Sequence, residues 1–445
     1  MKERSFYGWR LLVCFWIVLF VNLALPLYGA GVINAQMARA FGLDHKTVGI
    51  AFMLFSLFSG LPGPLVAIVC NRFGVRASIV LGGGMLTLSS LVLGLLVTSP
   101  WQAILMFGVV SGTAVAFGGL IPVQTGAVQW FNRNRARAVS IVLTGVGAGG
   151  FASPILMQQV IRLSGDNWRA AWIVIAVLSG ITTLGAGIFV RNQPSDIGQL
   201  PDGGPAPAAA RGDAASAAVR STVYVSSVDW TVREVLRSGL FWRIMVASVC
   251  FMCGVVTMLA HGVLHFESLN YSAAQSASAL GVLMLCSLLA KGATGIIGDR
   301  VEPRTMWCAA MLVFAAGFVL TAKAQGNYGP YIATGAIGLA YGFSYVSLMV
   351  LVGNYFGKKP YASLVGIIWS IITISTALAP VLAGIAFDRL RSYALPFYVA
   401  AGLCMAGCGL VFFATPPRRG VRATDQTDRS MAGRDTAAVS EPDLR

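Results

Sequence analysis

LLVCFWIVLFVNLALPL, Leu11–Leu27, carries one polar side chain, Asn22, and no charge. A membrane-spanning helix needs about 20 mostly apolar residues, and the flanks of this run extend it to that length. Behind Met1-Lys-Glu-Arg4 it resembles a secretion signal, but it runs on through Leu27 without a small-x-small cleavage pattern. It reads as an uncleaved first helix that starts inside.

Outward from this run, similar ones recur along all 445 residues. They predict helices at 9–34, 46–69, 76–97, 101–128, 137–160 and 168–190, then at 241–268, 275–297, 304–322, 327–353, 361–387 and 395–415. Hydrophobic residues make up 56% of the chain and charged residues 11%, with a mean hydropathy of +0.73. A soluble chain of this size carries roughly 25% charged residues, because its surface faces water. Most of this surface must face lipid. The expected class is an all-α membrane protein with twelve transmembrane helices in two six-helix bundles, 1–190 and 241–415. Residues 191–240 are expected to form a cytoplasmic linker around the low-complexity stretch Gly203–Asp213, and 416–445 a disordered tail.

The net charge is +15, from 32 Lys and Arg against 17 Asp and Glu. The basic residues sit in short loops and tails rather than on one surface, which argues against a nucleic-acid partner. With both termini inside, the cytoplasmic segments hold 24 of them and the opposite side seven. That bias sets the expected topology of a multi-pass plasma-membrane protein. Lys291 is left over, inside a helix. The eight cysteines lie in or beside apolar stretches. Cys250 and Cys253 form a C-x-x-C without the second pair or histidine spacing of a zinc site, so the thiols are expected to pack as small apolar groups.

Internal repetition carries more information. Asn71-Arg-Phe-Gly-Val-Arg76 follows the second predicted helix, and Asp299-Arg-Val-Glu-Pro-Arg304 follows the eighth, 228 residues on. Trp130-Phe-Asn-Arg133 matches Tyr355-Phe-Gly-Lys358 at 225, Ser153-Pro154 matches Ala379-Pro380 at 226, and Trp168-Arg169 matches Tyr393-Ala394 at 225. Four landmarks in order at nearly one spacing describe parallel duplicates, whose interface offers a site for alternating access.

Over residues 9–415 these landmarks resemble the major facilitator superfamily, whose signature Gly-x-x-x-Asp-Arg/Lys-x-Gly-x-Arg/Lys lies between helices two and three and more loosely between eight and nine. Arg72, Gly74 and Arg76 match the first copy, while Asn71 replaces the acid and Ala67 the glycine. Gly295, Asp299, Arg300 and Arg304 match the second. The resemblance implies gating loops at both places, with the Asn71 latch the weaker because an amide forms no ion pair. Within the superfamily the chain resembles the monocarboxylate porter and oxalate/formate antiporter branch, through Tyr7-Gly-Trp-Arg10, His261, Ala290-Lys-Gly-Ala-Thr-Gly295 and Gln193–Gly203. In that branch the helix-eight cation faces the central cavity and binds the substrate carboxylate, a position held here by Lys291. Helices one and eleven supply no second midplane cation, and Ser287 stands where animal relatives have an acid, so the resemblance implies one carboxylate rather than two.

Lys291 stands out without the resemblance. A basic residue near the bilayer centre costs roughly 2.5–3.5 kcal/mol on insertion scales. It sits about two turns from Asp299, or about 11 Å, and either snorkels to the cytoplasmic headgroups or faces a cavity. Ser287, Thr294 and Gly295 at i−4, i+3 and i+4 make its face small and polar. His261 and His265 share a helix face, with Glu267 near the outer end. His261 either couples to substrate or protons or is packed by a hydrogen bond, and His265 and Glu267 are expected to be solvated at the boundary. A metal pair would need a third ligand, and none is assignable. Tyr28 and Gln124 lie where cavity contacts occur in the superfamily. Asn22, Gln129, Tyr341, Tyr345 and Asn354 are the other polar intramembrane candidates, each open to interhelical bonding instead. Gly145, Gly147, Gly149 and Gly150 predict close helix approach.

The expected function is secondary transport of a small organic anion, a monocarboxylate, by a single chain without cofactor. Lys291 would neutralise the anion, with Tyr28, Gln124 and Tyr345 as further contacts and His261 tuning or coupling to protons. No Gly-x-x-x-x-Gly-Lys-Ser/Thr motif is present, so a gradient, a proton or an exchanged anion must drive movement. Three alternatives stand beside this one: a non-carboxylate metabolite or drug transporter, a membrane enzyme built on the two histidines, and a sensor.

Overall fold

The computed structural model describes residues 6–42, 45–203, 223–226, 230–390 and 392–417. Among these, eleven helical runs are long and apolar enough to cross a membrane. One of them, Thr47–Leu95, has 49 residues. At 1.5 Å per residue that is about 70 Å, more than twice the ~30 Å hydrocarbon core. It breaks at Gly74, where φ is 86° and ψ 164°, and so gives two crossings, residues 47–73 (α2) and 75–95 (α3). The other crossings of the first half are α1 (Gly8–Phe41), α4 (Pro100–Trp130), α5 (Arg135–Leu163) and α6 (Trp168–Phe189). The second half consists of α7 (Gly239–Ser268), α8 (Ala273–Ile297), α9 (Pro303–Ala322), α10 (Gly329–Phe356), α11 (Tyr361–Leu390) and α12 (Ala394–Phe412). Twelve crossings result, and the described residues contain no strand.

Each predicted helix exists. The largest difference is at the end of α1, which runs to Phe41 rather than 34. Ala30, Ile33, Asn34 and Met37 are buried at helical spacing, so packing carries the helix on after uninterrupted apolarity ends. Gly42, at φ 64°, stops it. Large apolar side chains such as Leu184, 71% exposed, cover the outside, as a protein in hydrocarbon requires. The eight cysteines are free.

Packing repeats between the halves. In the first, α1 lies along α5, and α2 and α3 pack on α4 and α6; in the second, α8 and α9 pack on α10, and α12 on α7 and α9. The halves meet where α5 touches α8 and α2 touches α11, two contacts that exchange when the halves exchange. Small residues set these distances. Gly145 and Gly149 face the Trp16 carbonyl and Ala24 on α1, and Gly147 faces Leu288 on α8, the close approach predicted for α5. A Cβ at Gly338 or Gly342 of α10 would collide with the backbone oxygen of Leu283 or Ser287 on α8.

Of the expected linker 191–240, the described ends are docked. The Asp202 carboxylate accepts backbone N–H bonds from Asn132 and Arg133 at 2.8 Å and from Asn134 at 3.2 Å, at the start of α5. A six-residue helix, Val232–Arg237, begins with a Thr231–Glu234 capping box. Residues 1–5 and the expected linker centre and tail, 204–222 and 418–445, lie outside the described residues.

Candidate substrate site

The close α8–α10 packing that Gly338 and Gly342 permit brings Lys291 beneath two aromatic rings. Its Nζ lies 4.9 Å from the ring centroid of Tyr341 and 5.4 Å from that of Tyr345, and the two rings meet edge to face at 5.8 Å. From the opposite bundle the Ser140 hydroxyl donates to the Lys291 carbonyl, fixing α5 against this turn of α8. The side chain is 5% exposed and lines a cavity of about 230 Å³ between the two halves. The amine therefore points into the central space and not to the headgroups, which removes the snorkelling alternative. The tyrosine faces offset part of the desolvation cost through cation–π attraction, roughly 2 kcal/mol for a desolvated contact. Among the described residues no acidic side chain lines the cavity, and Lys291 is its one charged group.

Two cross-bundle hydrogen-bonded contacts lie beyond one end of the cavity. Asp299 accepts backbone N–H bonds from Ala136 at 2.8 Å and Arg137 at 3.3 Å, in the first turn of α5, where N–H groups lack intrahelical acceptors. Burial raises its carboxyl above the ordinary range, while those two N–H groups pull it back down. Gly295, one turn earlier, lies against Ser140. Asn71 instead donates through Nδ2 to the Ser363 hydroxyl on α11, at 3.0 Å. Gly74 has a positive φ that favours glycine, and a side chain there would also strike Asn192, whose amide oxygen accepts from the Arg76 backbone at 3.0 Å. Arg72 lies over the Phe73 ring, and Arg304 reaches the Phe412 carbonyl at 3.3 Å. Arg135, 3% exposed, adds a further cross-bundle bond to the amide oxygen of Asn354 on α10, at 2.8 Å.

The family model described as Major Facilitator Superfamily matches residues 11–293 and 263–440. The chain belongs to that superfamily. This facilitator is 26% identical to Monocarboxylate transporter 13 of Bos taurus over 375 residues, 82% of this chain and 78% of that one. It is 23% identical to Monocarboxylate transporter 1 of Rattus norvegicus over 428 residues, 92% and 84% of the two chains. The solved fucose:proton symporter FucP of E. coli shares the fold, with a TM-score of 0.70 at 13% identity, over 93% of this chain and 100% of that one.

Of the residues expected at the facilitator's site, Lys291, Tyr28 and Tyr345 meet at the cavity, and Tyr341 joins them. Gln124 does not line it; the amide is fully buried on α4, and neither its oxygen nor its nitrogen has a hydrogen-bond partner. His261 also stands outside the lining. Its Nε2 is 2.9 Å from the Pro380 carbonyl, and its ring is 5.2 Å from that of Tyr393. A carbonyl can only accept, so Nε2 carries the proton and ties α7 to α11. His265 is not solvated, as expected from its place near the helix end, but 1% exposed, and it donates to the Thr321 carbonyl at 2.8 Å. The two histidines thus bind carbonyls on different helices, and the described residues hold no group of three metal ligands. Asn22, which accepts from Ser179 at 2.9 Å, is an interhelical bond, as is Asn354.

The sequence pattern did not single out Ser56, Ser59 and Gly60 on α2 or Trp369, Thr373 and Thr376 on α11, all in the cavity wall. The available signal was spacing: i, i+3, i+4 on α2 and i, i+4, i+7 on α11 place each set on one helix face.

Proposed function

We propose that this facilitator is a secondary transporter of a small organic anion, a monocarboxylate, driven by a proton gradient or by anion exchange. The observation that carries the proposal is the Lys291 amine, held in the central cavity with no carboxylate in the lining. A buried cation without an acidic partner is stabilised by an arriving anion, and one cation matches one carboxylate. Tyr28, Tyr341 and Tyr345 stand beside it as hydroxyl donors. The relatives named monocarboxylate transporters support the same substrate class. The bundles 1–190 and 241–415 rock about the site as two bodies, with Asn71 and Asp299 latching the side that bears both termini. The 24-to-seven excess of basic residues makes that side cytoplasmic. The packed position of His261 favours a structural part for it over a proton relay.

In proteoliposomes, Lys291→Gln is expected to lower uptake of a labelled monocarboxylate by about 30-fold or more, because truncating a buried charge partner costs at least about 2 kcal/mol. Lys291→Arg should retain part of the uptake. Unchanged uptake in Lys291→Gln would remove the anion assignment. Imposed pH gradients compared with preloaded anion separate the two driving forces.

A further inference from the structure

A second, polar recess of about 700 Å³ opens on the side that bears both termini, beside the Asn71–Ser363 contact. Loops of both halves build it: Arg72 and Asn192 come from the first, Lys359 and Ser363 from the second, and Trp230 from the segment docked before α7. Arg72 and Lys359 are its charged groups, both are exposed, and the described lining holds no acid. The neighbouring carboxylates are engaged elsewhere. Asp196 accepts from the Asn192 and Gln193 backbone amides at 3.0 and 3.1 Å, and Glu234 from the Thr231 amide at 2.9 Å. Two polar groups keep a donor for the recess. Ser363 accepts from Asn71, which leaves its own O–H, and Asn192 accepts through its amide oxygen, which leaves its Nδ2. At the equivalent contact between α5 and α8 an anion is built in, the Asp299 carboxylate. Here the cations are present and the anion is not, among the described residues.

We infer that this recess binds a phosphate monoester, with the phosphate between Arg72 and Lys359 and its remaining oxygens towards Ser363 and Asn192. A phosphate monoester carries a charge of about −1.5 to −2 and three strong acceptor oxygens, so it pairs with two cations where a carboxylate matches one. Arginine engages it through a planar fork and lysine as a point charge. A free cytoplasmic ester and the head group of phosphatidic acid present this same chemistry. Arg72 and Lys359 belong to opposite halves, so the ligand bridges them only while the halves are closed on this side. Its binding therefore favours that arrangement, by a factor that grows with ligand concentration over its dissociation constant. The site is thus a brake on opening towards the termini, separate from the central cavity. It does not involve Lys291 and is independent of which solute is carried.

Two experimental arms separate the sources. In the first, the full-length chain in phosphatidylcholine nanodiscs is titrated calorimetrically with glycerol 3-phosphate. Arg72→Gln and Lys359→Gln, both at exposed positions, are each expected to weaken binding about tenfold, and added salt should weaken it further. At about ten times its dissociation constant the ester should slow hydrogen exchange over residues 361–364 about tenfold. In the second arm, nanodiscs containing phosphatidic acid anchor the same head group in the bilayer. Exchange over 361–364 should again slow, and the double variant Arg72→Gln/Lys359→Gln should remove the slowing. Binding in the first arm alone assigns the site to a free ester, and slowing in the second alone assigns it to a lipid; either outcome supports it. No effect in either arm, or effects undiminished in the double variant, overturns the inference. Loss of ester binding in Lys291→Gln also overturns it, because the ester would then sit in the central cavity. Asp229, next to Trp230 in the sequence, lies outside the described residues. Binding that appears only in Asp229→Asn would show the chain's own carboxylate in the recess, and the inference would fail.

Discussion

Asn71 and Asp299 occupy the same place in the two halves, and each reaches the first turn of a helix in the opposite bundle. Asp299 meets Ala136 and Arg137, the second and third residues of α5, and Asn71 meets Ser363, the third residue of α11. One functional group separates them. The carboxylate accepts two backbone N–H groups that have no other helical partner, and the amide donates one bond to a hydroxyl. Duplication has kept the geometry while the chemistry has diverged. The two loops therefore hold their opposite helices unequally, Asp299 through two backbone amides of α5 and Asn71 through one hydroxyl of α11.

The comparison can be broken most directly at Asp299. Asp299→Ala leaves the Ala136 and Arg137 amides uncapped at a cost of about 2 kcal/mol, so their hydrogen exchange should quicken by about 30-fold. Exchange no faster than in the parent would mean that Asp299 does not latch. Asn71→Asp should narrow the difference between the loops. A carboxylate at the N-terminus of α11 gains about 1 kcal/mol from the helix dipole and the Ser363 hydroxyl, slowing exchange over residues 361–364 about fivefold. The smallest effect concerns pH. Because the net shift of Asp299 is upward, led by burial, the latched arrangement favours the protonated carboxyl. Its contribution is fully present below the ordinary carboxylate pKa of about 4 and is lost as pH rises through the raised value. Latch strength, read as the exchange ratio of Asp299→Asn to parent at each pH, should drift across that acidic window. A constant ratio would show that the carboxyl titrates alike, open and closed.

Much of the architecture was legible in the chain because membrane insertion is a local property. Apolar length alone marks each crossing, and the signature residues Arg72, Gly74 and Asp299 mark the loops. The site was legible in part. Lys291 announced itself because a charge in hydrocarbon is costly wherever it points, and Tyr28 and Tyr345 fell beside it. Gln124 and His261 looked equally suitable as polar residues in apolar helices, yet the helix rotations turn them away from the cavity. Ser56, Ser59, Thr373 and Thr376 were passed over because small hydroxyls in membrane helices bond their own backbone as readily as they line a cavity.

The sequence by itself determined the solvent, the number of crossings, the duplication and the presence of a lysine inside a membrane helix, since each follows from composition or spacing along the chain. The tertiary structure decided where that cation points, why His265 is dry, and which side chains of the two halves meet at the cavity. Those facts depend on the rotation and approach of helices far apart in sequence, set by contacts such as Gly342 on Ser287 and Gly149 on Ala24, which local pattern does not encode.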